Sequence, residues 1–201
     1  MIIHDVEQGS PEWLKLRLGI PTASEFHKII TPGGKASKQA DAYANKLVAE
    51  FMAGEPVEAF ETPWMVRGRE LEADAVSFYE LHKGIETKKV GFCVNNGCGA
   101  SPDRLIGEDG LLEVKCPAPS THVEYLINQK LDEDYWPQIQ GQIFVTGRDW
   151  ADILSYHPKL PPVIIRVERD VDFINNLAGF LQDFLISVGE KKITLKERGY
   201  L

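Results

Sequence analysis

The sequence predicts an α/β (α+β) fold in which helices flank a central sheet, in a single domain spanning residues 1–201. Two kinds of segment carry this expectation. Apolar residues recur at helical spacing over 38–53, 62–84, 134–147 and 170–188, whereas 87–94, 111–116, 150–156 and 163–168 are short runs of strand character bounded by turn residues. Both kinds are spread along the chain, and 43% hydrophobic residues in 201 suffice for a sizeable core.

Taken in order, Ser10 is an N-cap with Pro11 at the first helical position, opening a short helix to about Arg17 that Gly19-Ile20-Pro21 interrupts. Thr22 with Glu25 three residues on forms a capping-box pattern, which puts Ser24 in a first turn where backbone N–H groups can seat a phosphate. Ala40, Tyr43, Ala44, Leu47, Val48 and Phe51 give 38–53 its apolar stripe, ended by Gly54. The helix over 62–84 turns Trp64, Gly68, Leu71, Ala75, Val76 and Tyr79 inward with Glu72 on the same face, and an acid there needs a metal or a cationic partner such as Arg67 or Arg69. A strand over 87–94 reaches the hairpin turn Asn95-Asn96-Gly97, and the chain returns through Ala100 to Asp103. After the turn at Glu108-Asp109-Gly110, the period of two on 111–116 places Glu113 and Lys115 on one face and Leu112, Val114 and Cys116 on the other. Thr121 with Glu124 suggests a helix to about Leu131, and Asp134 can cap the next, whose apolar side is Trp136, Ile139, Ile143 and Phe144. Gln140 lies near that side. The closing amphipathic helix covers 170–188, and a polar tail with Lys191, Lys192, Lys196 and Arg198 follows.

A net charge of -8 and a pI near 5.2 argue against a general nucleic-acid-coating surface, so any DNA contact must be local. No signal-peptide pattern and no apolar stretch of membrane-span length is found, which makes a cytoplasmic location without a membrane partner the expectation. Cys93, Cys98 and Cys116 are odd in number and fit reduced thiols. The histidines form no metal-ligand spacing.

Asp103 and Glu113 offer two hard carboxylates that the Asp109-Gly110 turn folds toward each other, and Lys115 sits one strand period away. Such a set suits Mg²⁺ or Mn²⁺, with the backbone carbonyl of Val114 as an additional ligand and Lys115 orienting or deprotonating a water and balancing charge. The chemistry it points to is metal-dependent phosphodiester cleavage. Alone, the pattern is short enough to arise on any solvated Glu–Lys strand face.

The run Gln8-Gly9-Ser10-Pro11-Glu12-Trp13-Leu14-Lys15-Leu16-Arg17-Leu18-Gly19, followed by Thr22-Ala23-Ser24-Glu25, resembles the N-terminal signature of the phage lambda exonuclease, or YqaJ-type viral recombinase, family. Gly68-x-x-x-Glu72, Ser101-Pro102-Asp103, Leu112-Glu113-Val114-Lys115-Cys116-Pro117, and Gln138-Ile139-Gln140 with Val145-Thr146 follow in the same order, so the resemblance covers residues 8–146. It implies a restriction-endonuclease-like core with a central mixed β-sheet. It also implies an Mg²⁺-dependent exodeoxyribonuclease that digests one strand of linear duplex DNA 5′ to 3′ and leaves a 3′ overhang for recombination by strand annealing. By resemblance, Asp103 and Glu113 are metal ligands, Glu72 is a further carboxylate of the metal site, Lys115 is the catalytic lysine and Gln140 an active-site residue. Arg17 and Ser24 match positions that grip the 5′-terminal phosphate. A homotrimeric ring around DNA and a single-strand annealing protein as partner are implied in the same way. Arg104 stands where a glycine is common in the family, and the N-terminal arm is short. Some related nucleases hold an iron–sulfur cluster through four cysteines, which three cannot supply. Two rivals stay open: a sequence-specific endonuclease on the same core, and a non-catalytic scaffold that binds DNA ends.

Overall fold

The computed structural model describes residues 1–57, 63–130 and 132–201, the side chains of 63–65 excepted. The chain opens with a short strand, β1 (Ile2–His4), that its three residues gave too little pattern to foresee. Ser10 caps α1 (Pro11–Arg17) by accepting the Trp13 N–H at 3.2 Å. The next element is a 3-10 turn, Ala23–Lys28, and the expected capping box does not form: Thr22 makes no side-chain capping bond, and its hydroxyl turns to Ser24 instead, at 3.3 Å. Helix α2 (Ala40–Ala53) ends on Gly54 in the left-handed conformation. Phe51 does not join its buried stripe but lies half exposed beneath Lys192, whose ammonium is 3.9 Å from the ring centre. Helix α3 (Pro63–Lys83) buries Ala75, Val76 and Tyr79 as expected. Thr62 and the Trp64 side chain lie outside the described residues.

The expected strand over 87–94 is two strands in two sheets, β2 (Lys88–Lys89) and β3 (Phe92–Asn95). The break falls at Gly91, where a Cβ would meet the carbonyl oxygens of Val6 at 2.2 Å and His4 at 2.6 Å, so only glycine lets the backbones pass. Asn96 and Gly97, with φ of 50° and 75°, make the tight turn into β4 (Cys98–Ala100). Two strands follow, β5 (Arg104–Ile106) and β6 (Gly110–Lys115). Helix α4 (Pro119–Asn128) starts at its own proline rather than at a Thr121 cap, and Gln129 ends it in the left-handed region. Asp132, not Asp134, is the capping acid beyond it, accepting the Asp134 N–H at 3.0 Å in a short turn that leads into α5 (Trp136–Thr146). Strands β7 (Trp150–Ser155) and β8 (Val163–Glu168) and helix α6 (Val171–Glu197) complete the chain. Helix α6 runs through the stretch expected to be a polar tail, because Leu195 packs on the core and Lys191 pairs with Asp41 of α2 at 2.8 Å.

The central sheet has the order β2-β5-β6-β7-β8, with β6 and β7 parallel and the other neighbours antiparallel, and β1-β3-β4 form a second, three-stranded sheet. This is the mixed sheet flanked by helices that the sequence led us to expect. Leu111 belongs to the larger core, with Phe26, Tyr43, Ile139, Ile143 and Leu177, whereas Leu112 belongs to a smaller core with Ala75, Tyr79 and Leu154 under α3. The period of two therefore turns Glu113 and Lys115 to the Leu111 side, where α5 lies. Among the described residues no helix is long and apolar enough to cross a membrane.

Candidate active site

Asp103 sits on the loop between β4 and β5, and the β5–β6 hairpin brings it to β6: its Oδ2 accepts the Val114 N–H at 2.6 Å. Residues of the N-terminal signature brace that loop. The Trp13 indole donates to Ser101 Oγ at 2.9 Å, and the Gln8 amide donates to the carbonyls of Val90 at 2.9 Å and Pro102 at 3.0 Å. Burial first, then the charge of Glu113 and, more weakly, that of Glu72, hold the Asp103 carboxyl well above the usual range, against the lowering effects of the Val114 N–H and Lys115.

Glu113 is 5% exposed and every oxygen is occupied: Oε1 accepts from Lys115 Nζ at 2.8 Å and Gln138 Nε2 at 2.6 Å, and Oε2 from Gln142 Nε2 at 2.8 Å. Lys115 Nζ also donates to Gln138 Oε1 at 3.2 Å and lies 4.6 Å from the centre of the Tyr135 ring. Burial pulls this ammonium down, but Glu113, by charge and hydrogen bond, and then Asp103 and Tyr135 raise it above its ordinary value, so it stands charged beside the two acids.

Two sequence expectations are redrawn. Glu72 does not stand free beside Asp103: Arg104 Nη1 takes it in an ion pair at 2.8 Å while also donating to the Asp103 carbonyl at 2.6 Å. Arg104 thus neutralises the Glu72 carboxylate. Gln140 is fully buried away from the acids, donating to the Glu168 carbonyl at 2.8 Å and accepting the Asp170 N–H at 3.0 Å. It ties α5 to the β8–α6 junction, because a two-residue step along a helix turns the side chain about 200° from its neighbour at 138.

Arg17 and Ser24 do come together. The guanidinium stacks 4.0 Å from the Trp13 ring centre and reaches Thr22 Oγ1 at 3.3 Å and Ser24 Oγ at 3.4 Å. Burial lowers the pKa of Arg17, partly opposed by Tyr43, Glu25 and Glu50. The six-residue 3-10 turn is too short to lend much helix dipole, which leaves Arg17 as the anion-seeking group here.

Among the described residues no three His, Cys, Asp or Glu side chains stand close enough to hold a metal. The donor set that remains is Asp103 with Glu113, two hard carboxylates whose mutual repulsion a cation would relieve. That fits Mg²⁺ or Mn²⁺, which take one or two protein carboxylates and complete their shell with water and phosphate oxygens. The three cysteines are free thiols, Cys93 and Cys98 buried, and burial raises all three.

Residues 12–149 match the model of the YqaJ-like viral recombinase domain. The chain belongs to this family. LHK-Exo, an alkaline exonuclease from Laribacter hongkongensis that has also been solved in complex with dAMP, is 33% identical and superposes with a TM-score of 0.85 over 94% of this chain and 98% of its own. A phage-related exonuclease from Haemophilus somnus 129PT shares the fold, with a TM-score of 0.70 at 15% identity over 88% of this chain and 96% of that one. No curated protein matches the sequence. In this YqaJ-like chain Gln138 and Gln142 are the site residues that sequence reasoning missed. Their spacing of four on α5, opposite a strand carboxylate, was the available signal.

Proposed function

We propose that this chain is a divalent-cation-dependent exonuclease that digests one strand of linear double-stranded DNA from its 5′ end and leaves a 3′ overhang for strand annealing. The observation that carries the reading is the convergence of Asp103, Glu113 and Lys115 at the β5–β6 hairpin, on a loop that Trp13 and Gln8 tie to the Arg17–Ser24 corner. Kinship with LHK-Exo, described as an alkaline exonuclease, supports it.

Asp103 and Glu113 would hold the cation, Mg²⁺ or Mn²⁺ in its place, with the Val114 carbonyl beside them; Glu72 would join only if it left Arg104. A bound cation supplies Lewis acidity toward a phosphoryl oxygen and lowers the pKa of water. Lys115, charged in this arrangement, orients the attacking water and offsets negative charge developing on the phosphate. Gln138 bridges Lys115 and Glu113 and keeps the ammonium in register with the carboxylate. Arg17 offers a fork to the 5′-terminal phosphate and Ser24 a hydroxyl. A closed homotrimeric ring and delivery of the overhang to a single-strand annealing protein complete the proposal.

The test is a linear duplex labelled at either its 5′ or 3′ ends, incubated with and without Mg²⁺ beside a covalently closed plasmid. Mg²⁺-dependent release of mononucleotide from 5′ ends, with the plasmid untouched, is the expected result. Cutting of the plasmid would favour an endonuclease, and no release from either end would leave a DNA-binding scaffold.

A further inference from the structure

Gln142 lies on α5 one turn beyond Gln138, is 2% exposed, and donates to Glu113 Oε2 at 2.8 Å. Its own Oε1 is buried without a hydrogen-bond partner among the described residues. An unmatched buried acceptor is costly, and Gln142 retains one while placing its NH₂ on a buried carboxylate oxygen. The amide at this position is thus explained by Glu113 rather than by packing.

We propose that Gln142 is a positioning residue that fixes the plane of the Glu113 carboxylate from its buried side. This rests on the reading of Asp103 and Glu113 as the cation's carboxylates. The terminal torsion of a glutamate is broad, so a donor on one oxygen alone leaves the group free to swing. Lys115 and Gln138 hold Oε1, and Gln142 is the donor that holds Oε2. Lys115 already pairs with Oε1, and a second cation on Oε2 would take up the charge that remains for the metal, whereas a neutral amide orients the carboxylate without doing so. Because a carboxylate only accepts, the Gln142 NH₂ must face Glu113, and its carbonyl is left pointing at the core.

The experiment is calorimetric titration of Mn²⁺ into the DNA-free protein, with thermal melting of the same samples in chelator. Gln142→Met keeps the volume and removes the donor; Gln142→Asn keeps an amide that is one methylene too short to reach. Both should bind Mn²⁺ roughly 10- to 100-fold more weakly than wild type. The cation-free melting midpoint of both variants should fall modestly, because Glu113 Oε2 loses its donor. Wild-type Mn²⁺ affinity in the folded Gln142→Met protein overturns the proposal, as does an equal loss of affinity in a core variant of the same helix with a similar loss of cation-free stability, Ile143→Val or Ile143→Ala. If wild type itself binds no Mn²⁺, the underlying assignment of the carboxylates falls, and this proposal with it.

Discussion

Asp103 carries the tension of the site. Its carboxyl is half-buried beside Glu113, and the charged form is correspondingly disfavoured in the cation-free protein. Asp103→Asn removes that charge while its amide oxygen can still accept the Val114 N–H, so the variant should melt above wild type when both are kept in chelator at neutral pH. Wild type should gain about 2.7 kcal/mol of stability at Mn²⁺ a hundredfold above its dissociation constant, and the variant next to nothing. Melting curves with and without Mn²⁺ check both halves; an Asn variant that gains as much from Mn²⁺ would remove Asp103 from the site. Arg17 makes a second prediction. A 5′-phosphorylated duplex should be digested faster than a 5′-hydroxyl one, and Arg17→Ala should erase most of the difference, since a charge-assisted bidentate contact contributes about 1.5–3 kcal/mol, roughly tenfold or more in rate. Unchanged preference in the variant would place end recognition elsewhere. Asp103, Glu113 and Lys115 could be placed near one another from strand period and turn position, whereas Arg17 and Ser24 were paired through the family resemblance. Gln140 was given an active-site role by the resemblance, while its place on an apolar helix side was equally that of a polar core residue. Its actual partners, a carbonyl of Glu168 and the N–H of Asp170, are tertiary backbone groups that no local pattern announces.

At the level of elements, the smaller core has a polar tie of its own. Asp152 of β7 is 1% exposed and accepts from Tyr79 of α3 at 2.6 Å and from Arg166 of β8, whose Nε and Nη2 both reach it. Burial pushes the Asp152 carboxyl up, but the hydrogen bonds from Arg166 and Tyr79, with the charges of Arg166 and Lys83, bring it below the usual range. A depressed acid stabilises the fold above its unfolded value, near pH 4, and loses that contribution as pH falls further. Asp152→Asn should thus cost roughly 1–3 kcal/mol in urea unfolding at pH 7, because its NH₂ cannot satisfy a second donor, with the gap from wild type narrowing below about pH 4. A gap that is constant with pH would show the ion pair to be irrelevant. Elements with long periodic patterns, such as α2, α3, β7 and β8, could be read from the sequence nearly to their ends. Strands β1 and β5 have three residues each, too few for a period. The division of 87–94 depended on Gly91 passing the carbonyls of Val6 and His4, a contact across more than eighty residues. The tail after 188 looked polar, yet α6 continues because Leu195 and the paired Lys191 give it a surface to follow.

For the whole molecule, the difficulty is how a chain of net charge -8 stays on a polyanion. Phosphate contacts made by a few basic residues are lost as salt rises, and an acidic exterior adds repulsion. Topological enclosure removes the problem, because a ring closed around the duplex needs affinity only to load. The proposed homotrimer then predicts two separable behaviours. Light scattering at micromolar concentration should give three times the 22.6 kDa of the chain, with or without DNA. Raising salt from 50 to 200 mM should slow loading on DNA ends steeply, by on the order of 10-fold for every two phosphate contacts that loading requires. The length digested per loading event should change little, since a ring that has threaded the duplex leaves chiefly by reaching an end. Single-turnover digestion of long linear duplexes, with a trap added after loading, measures that length. A monomer by light scattering, or run lengths that collapse with salt in step with loading, would mean that the enzyme holds DNA by charge alone and that Arg17 and its neighbours carry far more of the affinity than this surface suggests.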